Sequence, residues 1–269
     1  MIILTGWNRE AVYNYFGFSE FYSRETFDDL DPVYMRAFIS DESDFDFIIS
    51  KYEEEKKENP DDPFYTFSVT MQNHGGYANS LGRVEPVVTI TDPEQWDDQA
   101  EQYINLVRAS DEAFEDLVSY FQDVEEPTVI IMFGDHQPSL PATFYANLFQ
   151  KSAGEMTLED TIRKHTVPYV IWANYDIEEK EVNLSANYLS AFFLDTIGSP
   201  LTGYQKYLLD LYEKLPMITA NGYRGDDGVL HPVDEESSYT ELLEEYEMVQ
   251  YNNIFDASNR IEEFFRLAQ

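Results

Sequence analysis

The stretch Thr128–Pro138, TVIIMFGDHQP, constrains this chain more than any other. Val129 to Phe133 is an unbroken apolar run with β-branched members, the pattern of a strand buried on both faces as in a parallel sheet. It stops at Gly134, and Asp135 and His136 follow at once. Successive side chains of a strand point to opposite faces, so two neighbours can serve one ion only where the chain has just left the sheet. Ligands of open α/β sheets gather outside the carboxyl ends of strands. A carboxylate beside an imidazole suits a divalent cation such as manganese, magnesium or zinc. The plainer reading is an Asp that caps the next helix beside an incidental His.

A second strand signal runs into a second polar turn. Phe64 to Met71, FYTFSVTM, alternates and leads into Gln72-Asn73-His74-Gly75-Gly76-Tyr77. Two glycines after His74 let backbone approach a ligand, although a loop histidine bonded to backbone would look the same. Asp92-Pro93-Glu94 has the form of a helix start. Trp96, Ala100, Tyr103, Val107, Phe114, Leu117, Val118 and Phe121 then recur on one face, so 64–133 is expected to be a β-α-β unit with a right-handed crossover. The expected fold is α/β, a parallel-sheet core with helices on both faces.

Around this centre, helices are expected at Glu10–Phe16, stopped by Gly17, and at Asp41–Lys57, whose Phe45, Ile48, Ile49 and Tyr52 share a face. Others fit Pro141–Gln150, Leu184–Ile197 and Thr202–Leu215. Thr166–Ala173 reads as a third strand, with His165 at its edge. After Pro216 a hairpin over Asn221–His231, an acidic helix, a short Tyr251–Phe255 strand and a terminal helix suggest a small α+β subdomain over 216–269, beside a core over 1–215.

Composition removes several classes of function. Among 269 residues, 17 basic against 52 acidic side chains give a net charge of −35, which repels nucleic acid and concentrates cations. With no cysteine, disulfides, thiolate metal sites and cysteine nucleophiles are excluded. No apolar run reaches the ~20 residues of a membrane helix. Apolar residues at 43%, with 20 Tyr and 19 Phe, suffice for a packed core.

Six segments, taken together, resemble the lipoteichoic acid synthase and phosphoglycerol transferase branch of the sulfatase-like alkaline phosphatase superfamily. They are GWNRE at 6–10, VTMQNHGGY at 69–77, the Tyr103–Phe121 helix, VIIMFGDHQPSL at 129–140, VPYVIWANYDIEE at 167–179 and VQYNNIFD at 249–256. The resemblance implies that Asp135 and His136 ligate a catalytic divalent metal, manganese or magnesium. It implies that His74 contacts the phosphoglycerol group and that Trp7 and Arg9 line the same pocket. Without it, Trp7 and Arg9 read as packing and a surface charge. The implied reaction is transfer of phosphoglycerol from a phospholipid head group, through a threonine nucleophile, to a cell-envelope glycan or polymer at the outer face of the membrane.

Family members carry that threonine, a further metal carboxylate and membrane helices upstream of the Trp-Asn-Arg segment. The expectation is therefore a catalytic-domain fragment, without its nucleophile and inactive alone. The alternatives are a sulfatase or phosphodiesterase on the same fold and a non-catalytic binding remnant. Further expectations are one cleft shared by His74, Asp135 and Arg9, and a sheet edge that self-associates or is covered by Met1–Thr5.

Overall fold

A computed structural model describes residues 8–268. Trp7 and the Met1–Thr5 segment, and the expectations placed on them, lie outside the described residues. The chain divides into two compact units, 1–124 with 138–153, and 125–137 with 154–269. No helix among the described residues is long and apolar enough to cross a membrane.

The first unit opens with helices α1 (Arg9–Tyr15) and α2 (Arg24–Asp28) and a short antiparallel hairpin, β1 (Tyr34–Met35) and β2 (Phe38–Ile39). Gly17, at φ +92, ends α1 as expected. Helix α3 (Asp41–Glu58) begins on Ser40, whose side chain accepts from the Ser43 amide. It packs on the long helix α4 (Asp98–Gln122). Phe45, Leu106, Ala113, Leu117 and Phe121 are buried in this unit, and Tyr52 meets Phe121 edge-on at 5.1 Å.

Helix α4 starts five residues later than its sequence signal, capped by Asp97 rather than Asp92. Asp92 accepts from the Glu94 amide at 2.9 Å and so caps a turn, whereas Asp97 accepts from the amides of Gln99 and Ala100 and caps the helix. Helix α5 (Ala142–Phe149) completes the unit, near its expected range.

The second unit holds β3 (Val129–Phe133), α6 (Leu158–His165), β4 (Tyr169–Ala173), α7 (Ala186–Thr196) and α8 (Gly203–Tyr212). A three-stranded antiparallel sheet follows, β5 (Met217–Ile218), β6 (Gly222–Arg224) and β7 (Leu230–Pro232), and then α9 (Thr240–Ile254). The hairpin and α9 share a core with α7 and α8, where Tyr188, Leu208, Leu215, Tyr223, Tyr239 and Tyr246 are buried together. The Tyr188 hydroxyl donates to the Leu215 carbonyl at 2.8 Å, which satisfies it in the apolar interior.

The α/β class stands, with three corrections. First, β3 pairs with β4 antiparallel, from Val129 opposite Ala173 to Phe133 opposite Tyr169. An apolar run reports burial, not the direction of its neighbour, and most of β3 is only half-buried. Second, 64–71 is extended but joins no ladder among the described residues, so no β-α-β unit forms there. Side chains hold it instead: Ser68 donates to Asp44 on α3, and Tyr65 and Phe67 pack on Phe18 and Tyr13. Third, Tyr251–Ile254 continues α9 and makes no strand.

Candidate metal and head-group site

The Asp135–His136 turn is built by its two flanking residues, both tied to the segment that leads into β4. The Gly134 amide donates to the Pro168 carbonyl at 3.1 Å, and the Gln137 side-chain amide donates to the Thr166 carbonyl. At Gly134 a Cβ would stand 3.1 Å from the Val167 Cβ, tighter than ordinary contact, so glycine lets the two segments close. The turn is thereby fixed while its side chains stay open, with Asp135 80% and His136 62% exposed.

His136 Nδ1 lies 2.9 Å from the Gln137 carbonyl. A carbonyl only accepts, so Nδ1 carries the proton and Nε2 of the neutral ring keeps its lone pair. That nitrogen lies 3.6 Å from Asp135 Oδ2, less than twice a metal–ligand bond of about 2.1 Å. One hard oxygen and one imidazole nitrogen, with the other ring nitrogen held by backbone, fit a divalent ion. They are two donors only: among the described residues no group of three or more His, Cys, Asp or Glu is arranged to hold a metal. His165, expected at a strand edge, is the last residue of α6, and its Nδ1 lies 2.7 Å from the Thr161 carbonyl.

His74 belongs to the first unit. Its ring is exposed, at the lip of a loop whose backbone is held from beneath. Arg36 does the holding: its guanidinium donates to the carbonyls of His74 at 2.7 Å, Gln72 at 3.1 Å and Gly76 at 3.1 Å. It also lies over the rings of Phe38 and Tyr77, at 5.3 and 5.5 Å from their centroids. Burial lowers the guanidinium from its ordinary value, yet so strong a base stays charged. No carboxylate among the described residues is within ion-pair distance of it. Gly76, at φ +89, turns the loop back over Leu81.

Beneath the loop lies a buried polar cluster. Gln72, 1% exposed, accepts from the Asp41 amide at 2.9 Å and donates to Ser110 at 3.0 Å. Asn73 donates to Ser110 at 2.8 Å, and the Ser110 hydroxyl donates to the Asp41 carboxylate. Burial, with Asp44 nearby as a further contribution, pushes the Asp41 carboxyl up to about 6, against the pull of its Ser110 bond. The polar Gln72-Asn73 pair was visible in the sequence. Arg36 gave no signal, because its role depends on a hairpin turn in which it adopts φ +59.

Arg9 is the first residue of α1. Through Tyr13 that helix touches Phe67, on the extended segment that runs into the His74 loop. Asp135 and His136 belong to the second unit.

A family model described as Sulfatase matches residues 3–199. A Rhizobium meliloti (strain 1021) protein named for cyclic beta-1,2-glucan modification is 29% identical over 273 aligned residues, covering 97% of this chain and 40% of that protein. Lipoteichoic acid synthase 1 of Bacillus subtilis (strain 168) is 28% identical over 135 residues, 48% of this chain and 19% of that one. The chain therefore spans less than half the length of these relatives. Among solved structures, Streptococcus pyogenes phosphoglycerol transferase GacH in complex with sn-glycerol-1-phosphate matches with a TM-score of 0.67. That match covers 99% of this chain and 63% of that one at 19% identity, and shows a shared fold. With the family model matched across most of its length, the chain belongs to the sulfatase family, in the branch that includes the lipoteichoic acid synthases.

Proposed function

We propose that this chain is part of the catalytic domain of a metal-dependent phosphoglycerol transferase that modifies a cell-envelope glycan or polymer. The observation that carries this reading is the Asp135–His136 turn, whose Nδ1 bond leaves Nε2 ready to ligate 3.6 Å from a carboxylate oxygen. Asp135 and His136 would hold manganese or magnesium. When bound, such an ion stabilises charge on phosphoryl oxygens and lowers the pKa of a hydroxyl nucleophile.

The chain's own residues supply binding. His74, exposed on an anchored loop, has the position of a hydrogen-bond partner for a phosphoglycerol group, and Arg9 and Trp7 are read as further contacts. Arg36, a charge without a carboxylate partner among the described residues, makes the His74 loop locally cationic in a chain of net charge −35. A phosphate can therefore approach it despite the overall repulsion. The metal ligands and the head-group contacts are the roles assigned here; the nucleophile is not among them, so the reading concerns binding.

Calorimetric titration of the chain with Mn²⁺, and then with sn-glycerol-1-phosphate, tests it. Weak Mn²⁺ binding that is lost on replacing Asp135 and His136 by alanine, and glycerol phosphate binding that is lost in His74→Ala, are expected. Mn²⁺ binding that survives the double replacement would refute the assignment.

A further inference from the structure

Helix α9 carries an apolar face that the packing of the second unit does not use. It buries Tyr246 in the core shared with α7 and α8. Met248, Tyr251, Ile254 and, just past its end, Phe255 stay 59% to 71% exposed. Their three- and four-residue spacing puts them on one side of the helix, and the rings of Tyr251 and Phe255 lie 5.8 Å apart.

This is not a frayed end. Asn252 donates to the Asn259 carbonyl at 2.9 Å and accepts from the Ile261 amide at 3.1 Å. Arg260 donates to the carbonyl and the side chain of Asn253 at 3.1 and 2.9 Å. These bonds tie 259–261 to the side of α9 that carries Asn252 and Asn253, so the apolar side chains stand on a fixed backbone.

Toward the start of α9 the same face borders a cavity of about 290 Å³. Ile218, Tyr223, Val233 and Leu243 give it an apolar lining, beside the carboxylates of Asp234, Glu235, Glu236, Glu244 and Glu247. Thr240, Glu244, Glu247, Tyr251 and Ile254 succeed one another at helical spacing, which joins cavity and apolar patch into one strip.

Acidity is general in a chain of net charge −35, so carboxylates alone assign nothing; their setting does. Glu235 lies 3.1 Å from His231 Nδ1, and among the described residues the other four make no ion pair. Helix α9 has no Lys or Arg, and its Glu241, Glu244, Glu245 and Glu247 repel one another at three- and four-residue spacing. A cationic partner would relieve that repulsion while the adjoining apolar patch leaves water. A second copy would set carboxylate against carboxylate, and an anionic lipid surface would be repelled.

We propose that this strip is a docking surface for a cationic amphipathic segment of another protein. Its Lys or Arg side chains would meet Glu244 and Glu247, and its apolar side chains Tyr251 and Phe255.

The test is titration of the whole chain, at constant ionic strength, with a synthetic leucine–lysine peptide patterned as an amphipathic helix, followed by amide chemical shifts. A scrambled peptide of the same composition is the control. The variants are Glu244→Gln/Glu247→Gln, Tyr251→Ser/Phe255→Ser and Glu20→Gln/Glu58→Gln, all at exposed positions; the last removes the same charge from the first unit. Saturable shifts at residues 233–236 and 240–255 are expected. Affinity should be at least tenfold weaker for the scrambled peptide and for both α9 variants, and unchanged in Glu20→Gln/Glu58→Gln. Equal affinity in the wild type and all variants, or shifts that do not saturate, would overturn the proposal by showing only general attraction to an acidic chain. Light scattering, and flotation with phosphatidylcholine and phosphatidylglycerol vesicles, read the other occupants. A dimer or a vesicle-bound form that Tyr251→Ser/Phe255→Ser abolishes would give the face to a second copy or to lipid, and would overturn the proposal as well.

Discussion

Replacing Asp41 by Asn should change how stability depends on pH more than stability itself. Asp41 is 1% exposed, at the start of α3, and burial holds its carboxyl at about 6 against an ordinary 3.8. The folded chain thus binds this proton more tightly than the unfolded chain. The associated stability is fully present below about 3.8 and is lost as pH rises through about 6. At 1.36 kcal/mol per pH unit, the gap costs the native protein roughly 3 kcal/mol at neutral pH. The Asn side chain carries no charge and keeps an acceptor for the Ser110 hydroxyl. Its amino group would take the place of Asp41 Oδ1, which has no hydrogen-bond partner, and an unpaired buried donor costs about 1–3 kcal/mol. The absolute effect at neutral pH is therefore small. The difference between variant and wild type should instead move by about 1.3 kcal/mol in favour of Asp41→Asn between pH 5 and 7, a range clear of the sequence pI of about 4.1. Urea unfolding of both proteins at half-unit steps measures it. A difference that stays constant across that range would refute the burial argument.

Arg36→Lys should loosen the His74 loop, because one ammonium cannot span three carbonyls as the planar fork does. A stability loss of about 2 kcal/mol and faster hydrogen exchange at residues 72–77 are expected, and unchanged exchange there would contradict the role given to Arg36. Gly225→Ala should destabilise the second unit strongly, since a Cβ at that position collides with the ring of Tyr239. A melting temperature within a degree of wild type would show that the hairpin and α9 adjust freely.

Much of the helical framework was legible because its signals are local. Gly17 stops α1, Ser40 and Thr202 accept from amides three residues on, and the apolar stripe of α3 faces α4. The failures are non-local. The alternation of 64–71 describes a strand, but whether a ladder forms depends on a neighbour far away in sequence, and here side chains hold the segment, Ser68 donating to Asp44 and Tyr65 and Phe67 packing on Phe18 and Tyr13. The apolar run of β3 was readable, while its antiparallel partner was not, since periodicity carries no direction. Asp92 and Asp97 are both good caps, and only packing decides which one begins α4. At the candidate site, the Asp135–His136 pair and His74 stood out by residue type. Arg36 did not: nothing in Tyr34-Met35-Arg36-Ala37-Phe38 announces a side chain bonded to carbonyls 36 to 40 residues away.

The chain has four histidines, His74, His136, His165 and His231, which makes their ring resonances a direct readout of where a paramagnetic ion goes. His231 is a built-in reference, stacked on Tyr223 with its Nδ1 3.1 Å from Glu235. Titration with substoichiometric Mn²⁺ should broaden the His136 signal before that of His231, and Asp135→Ala should abolish the preference. If His136 broadens no sooner than His231, or broadens equally in Asp135→Ala, the Asp135–His136 turn does not hold the metal.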